Sequence, residues 1–469
     1  MKMVVRWIAI VYLVAMTFFV WGLATVHYQI FPWAYVYPLE QELSAFIKGH
    51  AAENTTLIGK IQNDMEIKPS RQISRFKKSP TRQYREFKVP NTKSRRAPAL
   101  VYAQQARQMP GYRFITGTFD FNNYLHGGIL LNEKNEIVHY WTADDGAILQ
   151  KIEVANQEAK AAANGAEYVV RKAKSERNKN PHGSEILRDG SVVYNDGDPG
   201  DAIQRISWCS KPVWTTLGTF SHVVQVDEDQ NTLWSFDQEA GRGGMSQLDL
   251  STGGRLRSIT AQQQIDANPD IDIFEIRRDI LKNKWLKEPL HPNDVEPLPA
   301  HMAPMFPEFG AGDLLISLRS LNLVYVLDPE TLKVKWWRSG QYRRQHDPDW
   351  QPNGTITVYD NNMGRLHDAE GQMFSRIWRI NPTSFVSTIA YNGSEDRFYS
   401  KIRGKHQLLP NGNMLITSPM QGRVLEVTSE GETVFEFLNN FAGDQNMVIS
   451  KATWLPTDFF DFEEFLKCD

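Results

Sequence analysis

The chain has 469 residues, a formal net charge of −3, and 41% hydrophobic and 11% aromatic content. That is apolar material enough for a large core, and the near-neutral balance excludes a general polyanion or nucleic-acid binder. Two cysteines, Cys209 and Cys468, exclude a disulfide-dense scaffold and a zinc module. They read as free or buried thiols, with one long-range bridge as the other possibility.

The first predicted element is a membrane span. Residues 7–26 carry no charge, Lys2 and Arg6 precede them, and no Lys or Arg occurs in residues 27–46. An uncharged run of about 20 residues matches one helix across a bilayer, and the charge asymmetry places the tail in the cytoplasm. The expectation is a single-pass inner-membrane protein with a periplasmic body. An uncleaved anchor is preferred to a signal peptide because the residues after the run are bulky and aromatic. Residues 1–28 are then tail and anchor. Residues 29–112 are a membrane-proximal segment, with a polar helix from Leu39 to Asp64 and then a basic stretch. Residues 68–96 hold eleven Lys or Arg against one acid, Glu86, and are interrupted by Pro69, Pro80 and Pro90. This reads as a linker, suited to anionic lipid headgroups or an acidic envelope protein.

From Arg113 the texture changes. Short alternating apolar runs are separated by Asp-Gly, Asn-Gly and Glu-Gly, the residues that turn hairpins. The expectation for 113–469 is all-β. One interruption, Asp270 to Leu286, has apolar residues near i, i+3, i+4 and i+7 and reads as a helical insertion over residues 270–287. A unit recurs: His182, His222, His291, His346 and His406 each head a segment that passes a turn signal and continues in an apolar strand. Later strands end in Trp141, Trp214, Trp336 and Phe437. With His126 as a weaker first copy, the pattern predicts six units, a six-bladed β-propeller with an N-terminal transmembrane helix and a helical insertion.

In such a fold the inner strands line one channel, so a residue repeated at one place converges with its copies. His222, His291 and His346, with Arg319, form a set rich in histidine and arginine, without cysteine and with few acids. That set suits an oxyanion better than a metal, and no metal is expected. No P-loop, G-x-G-x-x-G or G-x-S-x-G occurs, so no nucleotide cofactor and no serine hydrolase are indicated.

At HPNDVEPLP, LISLRSLNLVYVLDPETLKVKW, QHDPDWQPNGTITVYDN and LLPNGNMLITSPMQGRVLEVTSEGETVFEF the chain resembles the bacterial arylsulfate sulfotransferases, over roughly Arg113 to Phe437, and the membrane-anchored branch most of all. The resemblance implies a six-bladed propeller and nucleotide-independent transfer of a sulfuryl group from an aryl sulfate donor to a phenolic acceptor. It implies His346, in QHD, as a transiently sulfated nucleophile. His291, Arg319 and His222 become its catalytic partners. His182, His406, Asn293 and Arg403 are the candidate substrate-binding residues, with His182 and His406 also readable as rim residues or blade caps. A different class of function fits the same fold: a non-catalytic scaffold or glycan-binding subunit of an envelope assembly. A quinone-dependent dehydrogenase fits less well, because no calcium-ligand pattern is visible.

Overall fold

The computed structural model describes Val14, Met16 and Thr17 and, between Ile73 and Cys468, all residues except 91, 93–96, 121–124, 165–166, 168, 174–179, 242, 275–277, 280–283, 286–289, 365 and 463–466. The chain divides into two units, Met1–Lys68 and Pro69–Asp469, and every described strand belongs to the second.

Six antiparallel sheets of four or more strands follow one another. The first joins Tyr112–Asp120, Leu125–Leu131 and Ile137–Thr142 to the C-terminal strand Ile449–Leu455, which is its innermost member. The second to sixth begin with inner strands Ser184–Ile186, Phe220–Asp227, Pro292–Pro297, His346–Gln351 and Lys405–Leu408 and run outward in chain order. The sixth is extended by Ala99–Ala103 and Arg85–Phe87.

The strands are apolar on both faces, and successive residues enter different cores because side chains alternate across a strand. Phe114 and Leu130 pack towards the second sheet, whereas Ile115 and Ile129 pack towards the sixth. Six such cores occupy the six gaps between neighbouring sheets, including the gap from sixth to first. The sheets therefore form a ring, propeller-like, in which no single sheet closes on itself. The indole N–H groups reinforce it. Trp141 donates to the Gly190 carbonyl at 3.1 Å, Trp214 to Leu250 at 3.0 Å and Trp336 to Pro382 at 3.1 Å, each in the following sheet.

Several expectations are corrected. No helix among the described residues is long and apolar enough to cross a membrane. The span expected at residues 7–26 lies outside the described residues apart from Val14, Met16 and Thr17, so the structure does not carry the transmembrane helix or the single-pass inner-membrane placement. The polar helix expected from Leu39 to Asp64 also lies outside the described residues. Among the described residues of the helical insertion expected near 270–287 no helix occurs, and Arg278–Asp279 and Lys284–Trp285 pair as a two-stranded ribbon. Phe274 is drawn into the core between the third and fourth sheets, and tertiary packing overrides a weak helical period. The long helix is instead Gly146–Ala163, rich in Ala, Glu, Gln and Lys, with only Ile148 and Ile152 buried. A short capped helix, Ala261–Ala267, follows the third sheet.

The basic stretch is also different from a free linker. Ile73–Arg75 pairs with Gln445–Met447, and Arg85–Phe87 edges the sixth sheet. Arg82 pairs with Asp396 and Glu436 at 2.8 and 2.6 Å, and Arg85 donates to the carbonyls of Lys134 and Asn135. Charge set aside for lipid or envelope protein is engaged in part by the body itself, and neither partner is supported.

Cys209 and Cys468 are bridged, not free. The bond ties the C-terminal segment, whose Phe459, Phe460 and Phe462 pack between the first and second sheets, to the second sheet's outer turn. Cys209→Ser is expected to cost about 2–4 kcal/mol, because the bridge closes a long loop in the unfolded chain. Thermal melts with and without reductant check this: wild type drops to the variant's midpoint on reduction, and the variant is insensitive.

Candidate active site

The histidines sit where the inner strands begin, and the backbone there is unusual. His222 and His291 have φ of 61° and 50°, and Asp347 and Arg403 have 51° and 61°. The third, fourth and fifth inner strands each have an irregular register at this end. Left-handed backbone is costly for residues other than glycine, and bulges re-aim side chains, so this rim is built to present them. His182 follows the same plan with another device. Its N–H and that of Gly183 both donate to Asn195 Oδ1, at 3.1 and 2.9 Å. A Cβ on Gly183 would lie 2.3 Å from the Val224 nitrogen, so only glycine lets these two strands approach.

The side chains converge. The imidazoles of His182 and His222 are 5.1 Å apart between centroids, and those of His222 and His291 are 4.9 Å apart. His182 Nδ1 donates to the His222 carbonyl at 3.0 Å. His346 is buried, and both its nitrogens are engaged. Nδ1 faces Asn361 Oδ1 at 2.7 Å and the Arg344 carbonyl at 3.1 Å, while the Arg403 backbone N–H donates to Nε2 at 3.2 Å. Two acceptors at Nδ1 and a donor at Nε2 define a neutral imidazole with its proton on Nδ1 and a lone pair on Nε2. Asn361 is itself fixed, its amide donating to the carbonyls of Ser400 and Arg403 at 2.7 and 2.6 Å.

The electrostatics agree with a neutral ring. Burial pushes the His346 imidazolium well below its usual range, and Arg319, His222 and His291 push the same way, against the hydrogen bond of Asn361. Burial likewise lowers His182 and His222 to about 3, each aided by Arg403. Arg319 directly follows Leu314–Leu318, at the start of the 3-10 turn Arg319–Leu321, its N–H bonded to the His291 carbonyl at 3.0 Å. Asn293 donates to the Gln345 carbonyl at 2.7 Å, beside His346, and its Oδ1 is buried without a hydrogen-bond partner.

His406 lies in a different setting. Nδ1 bonds Asp347 Oδ2 at 2.8 Å and Nε2 bonds Thr357 Oγ1 at 2.7 Å. Lys405 joins this network, its ammonium 2.6 Å from both Asp294 and Asp347. His126 is not at the head of an inner strand. It lies on Leu125–Leu131, next but one to the inner strand, facing Thr118 at 3.2 Å.

Two residues escaped the sequence analysis. Asn361 follows the second strand of its sheet in YDNN. Asp198 lies in DGDPGD, which reads as a turn. Its carboxylate stands 3.7 Å from His182 Nε2 and 3.6 Å from His222 Nε2. Burial would raise its pKa, but His222, His182 and Arg403 outweigh burial and hold it below the usual carboxylate range.

Comparison with known proteins adds a family. The family model described as arylsulfotransferase (ASST) matches residues 183–440. No curated protein matches the sequence. Among solved structures, a protein of unknown function from Bacteroides caccae is 11% identical, covering 73% of this chain and 98% of its own, with a TM-score of 0.43. Virginiamycin B lyase from Staphylococcus aureus is 12% identical, over 54% and 69%, with a TM-score of 0.33. At these values neither carries an argument about this chain.

Proposed function

Because this chain belongs to the arylsulfotransferase family, we propose that it moves a sulfuryl group from an aryl sulfate donor to a phenolic acceptor in two steps, through a sulfated His346 and without a nucleotide donor. The observation that carries the reading is the tautomer of His346: a buried, neutral ring whose Nε2 lone pair accepts a 3.2 Å bond from the Arg403 backbone N–H, near the charges of Arg319, His222 and His291.

A sulfate ester is anionic and repels anionic nucleophiles, whereas a neutral imidazole approaches it freely. The Nε2 lone pair attacks sulfur. The N–S bond forms, the S–O bond to the aryl group breaks, and the electron pair leaves on the phenolate. Positive charge develops on the imidazole and is shared with Asn361 Oδ1 and the Arg344 carbonyl through the Nδ1–H. On attack Nε2 gives up the bond from the Arg403 backbone N–H, which then donates to a sulfuryl oxygen, with Arg319 as a second donor where fixed donors are worth most. His291 hands a proton to the departing phenolate and takes one from the acceptor in the second step. Asn293 and His182 line the substrate. His406, bonded at both nitrogens, holds Asp347 and the strand bearing His346.

The test is incubation with 4-nitrophenyl sulfate alone, followed by peptide mass spectrometry. A gain of one SO₃ on the peptide containing His346 is expected. An unmodified His346 peptide, while phenol is still released, would overturn the assignment.

The pH dependence follows from the same geometry. A free imidazole is neutral only above about pH 6.5, and the folded His346 has its pKa depressed below that value. It therefore stays nucleophilic as pH falls through 6.5. The acid limb of kcat/KM for the first step is expected well below pH 6.5, read from phenol release across pH 4–8.

A further inference from the structure

We propose that His182, His222 and Asp198 form a binding site for one divalent metal ion of the zinc class on the channel wall. The expectation of no metal rested on a set of histidine and arginine with no cysteine and few acids, and Asp198 adds an acid beside two of the histidines.

The argument starts from hydrogen positions. His182 Nδ1 can only donate to the His222 carbonyl, 3.0 Å away. In a neutral ring Nε2 then carries a lone pair, and it faces the Asp198 carboxylate at 3.7 Å. His222 Nε2 faces the other oxygen of the same carboxylate at 3.6 Å. These separations exceed hydrogen-bond reach, and a lone pair facing a carboxylate is relieved by positive charge: Arg403 acts on both rings and on Asp198, and an ion held between the three ligand atoms would do so directly. They suit two ligands of one ion: bonds of about 2.0–2.1 Å at tetrahedral angles place neighbouring ligand atoms roughly 3.3–3.5 Å apart. The three ligand atoms all lie within 4.8 Å of one another.

The surroundings match a built site. The bond from His182 Nδ1–H to a backbone carbonyl is the usual outer partner of a metal-bound imidazole, fixing its tautomer. Asp198 is held by its loop, where Asp196 Oδ1 accepts the N–H groups of Asp201 and Ala202 at 2.6 and 2.9 Å. The Gly200 N–H bonds the Phe220 carbonyl at 2.7 Å, anchoring that loop to the third sheet. His222 Nδ1 is buried without a hydrogen-bond partner, so its proton has no fixed claim and Nε2 is available as a ligand. The second acidic cluster, Asp347, Asp349 and His406, is a contrast. There Lys405 already supplies the cation and His406 is bonded on both nitrogens.

Two imidazoles and one carboxylate leave at least one coordination position open, and its occupant would be an anionic oxygen of the substrate. This last step rests on the transfer reading, and the binding of the ion does not. It also accounts for how His182 and His222, uncharged at neutral pH, would contribute positive charge to the channel.

The full chain, stripped with chelator and dialysed, is titrated with Zn²⁺ by calorimetry, beside Asp198→Asn, His182→Ala and the control Asp349→Asn. One equivalent is expected to bind wild type and control. The two ligand variants are expected to weaken it by on the order of 100-fold or more, since even outer partners are worth about 10–100-fold. No stoichiometric binding by wild type, or equal binding by Asp198→Asn with wild-type circular dichroism, overturns the site. Should neither ligand variant fold, the X-ray absorption of the wild-type Zn²⁺ complex decides. An imidazole nitrogen shell supports the site, and a shell of oxygen alone overturns it. No aryl sulfate is present in these measurements, so their outcome is separate from the fate of His346 sulfation.

Discussion

His346→Ala is expected to reduce aryl sulfate turnover by about 10⁴-fold or more, the scale seen when a nucleophile acting as part of a unit is removed. A decline of less than 10-fold, or persistent phenol release with unchanged kcat, would exclude His346 as nucleophile. Asn361 gives a finer test as a positioning residue, because it accepts from His346 Nδ1–H at 2.7 Å. Losing a hydrogen bond to a charge that develops during reaction costs about 1.5–3 kcal/mol, so Asn361→Ala is expected to slow sulfation roughly 10- to 100-fold. Asn361→Asp should instead move the acid limb of the pH profile upward, since a carboxylate at that position favours imidazolium. A purely structural role for Asn361 would leave that limb in place.

Arg113→Met is expected to destabilise the protein by about 3–5 kcal/mol, the cost of leaving one member of a buried ion pair without its partner. Arg113, on the first sheet, and Glu426, on the sixth, are both fully buried and paired across the gap where the ring closes. Arg113 also donates to the Met109 carbonyl at 2.9 Å and lies over the Phe435 ring at 4.7 Å. Without it, Glu426 keeps only the Met109 N–H and the Asn413 amide. Urea denaturation measures the loss, and a cost under about 1 kcal/mol would refute it. Arg113→Met combined with Glu426→Leu should recover much of the loss, because apolar pairs of similar volume often replace buried ion pairs without penalty. Against a total stability of about 5–15 kcal/mol, either single change is severe.

The sequence carried the histidine positions well because each is a local fact: a strand head, a turn, an apolar strand. It carried closure poorly. The inner strand of the first sheet comes from Ile449–Leu455, far from its neighbours in sequence, so His126 filled a place that it does not occupy. Asp198 was invisible for a related reason. A Gly-Asp-Pro-Gly turn and a ligand-bearing loop have the same composition, and only the contact of the second and third sheets brings its carboxylate to His182 and His222. The helix Gly146–Ala163 was hidden by its lack of a clear apolar stripe, with two buried residues in eighteen. Asp270 to Leu286 was misread in the opposite direction, since Phe274 gives up the helical period for a place in the core. Cys209 and Cys468 showed no spacing motif to link them, as their pairing depends wholly on where the last residues dock.

The origin of that final inner strand also sets an order of events during synthesis. The three earlier strands of the first sheet leave the ribosome with one edge unpaired, and they stay so until Ile449–Leu455 has been made. Exposed edges recruit other chains, so the nascent protein has its most adhesive surface throughout the time it takes to translate five further sheets. A transcript cut short before codon 449 yields a product that keeps that edge open for good. The last strand thus works as a latch: only a chain made through Leu455 can shut it.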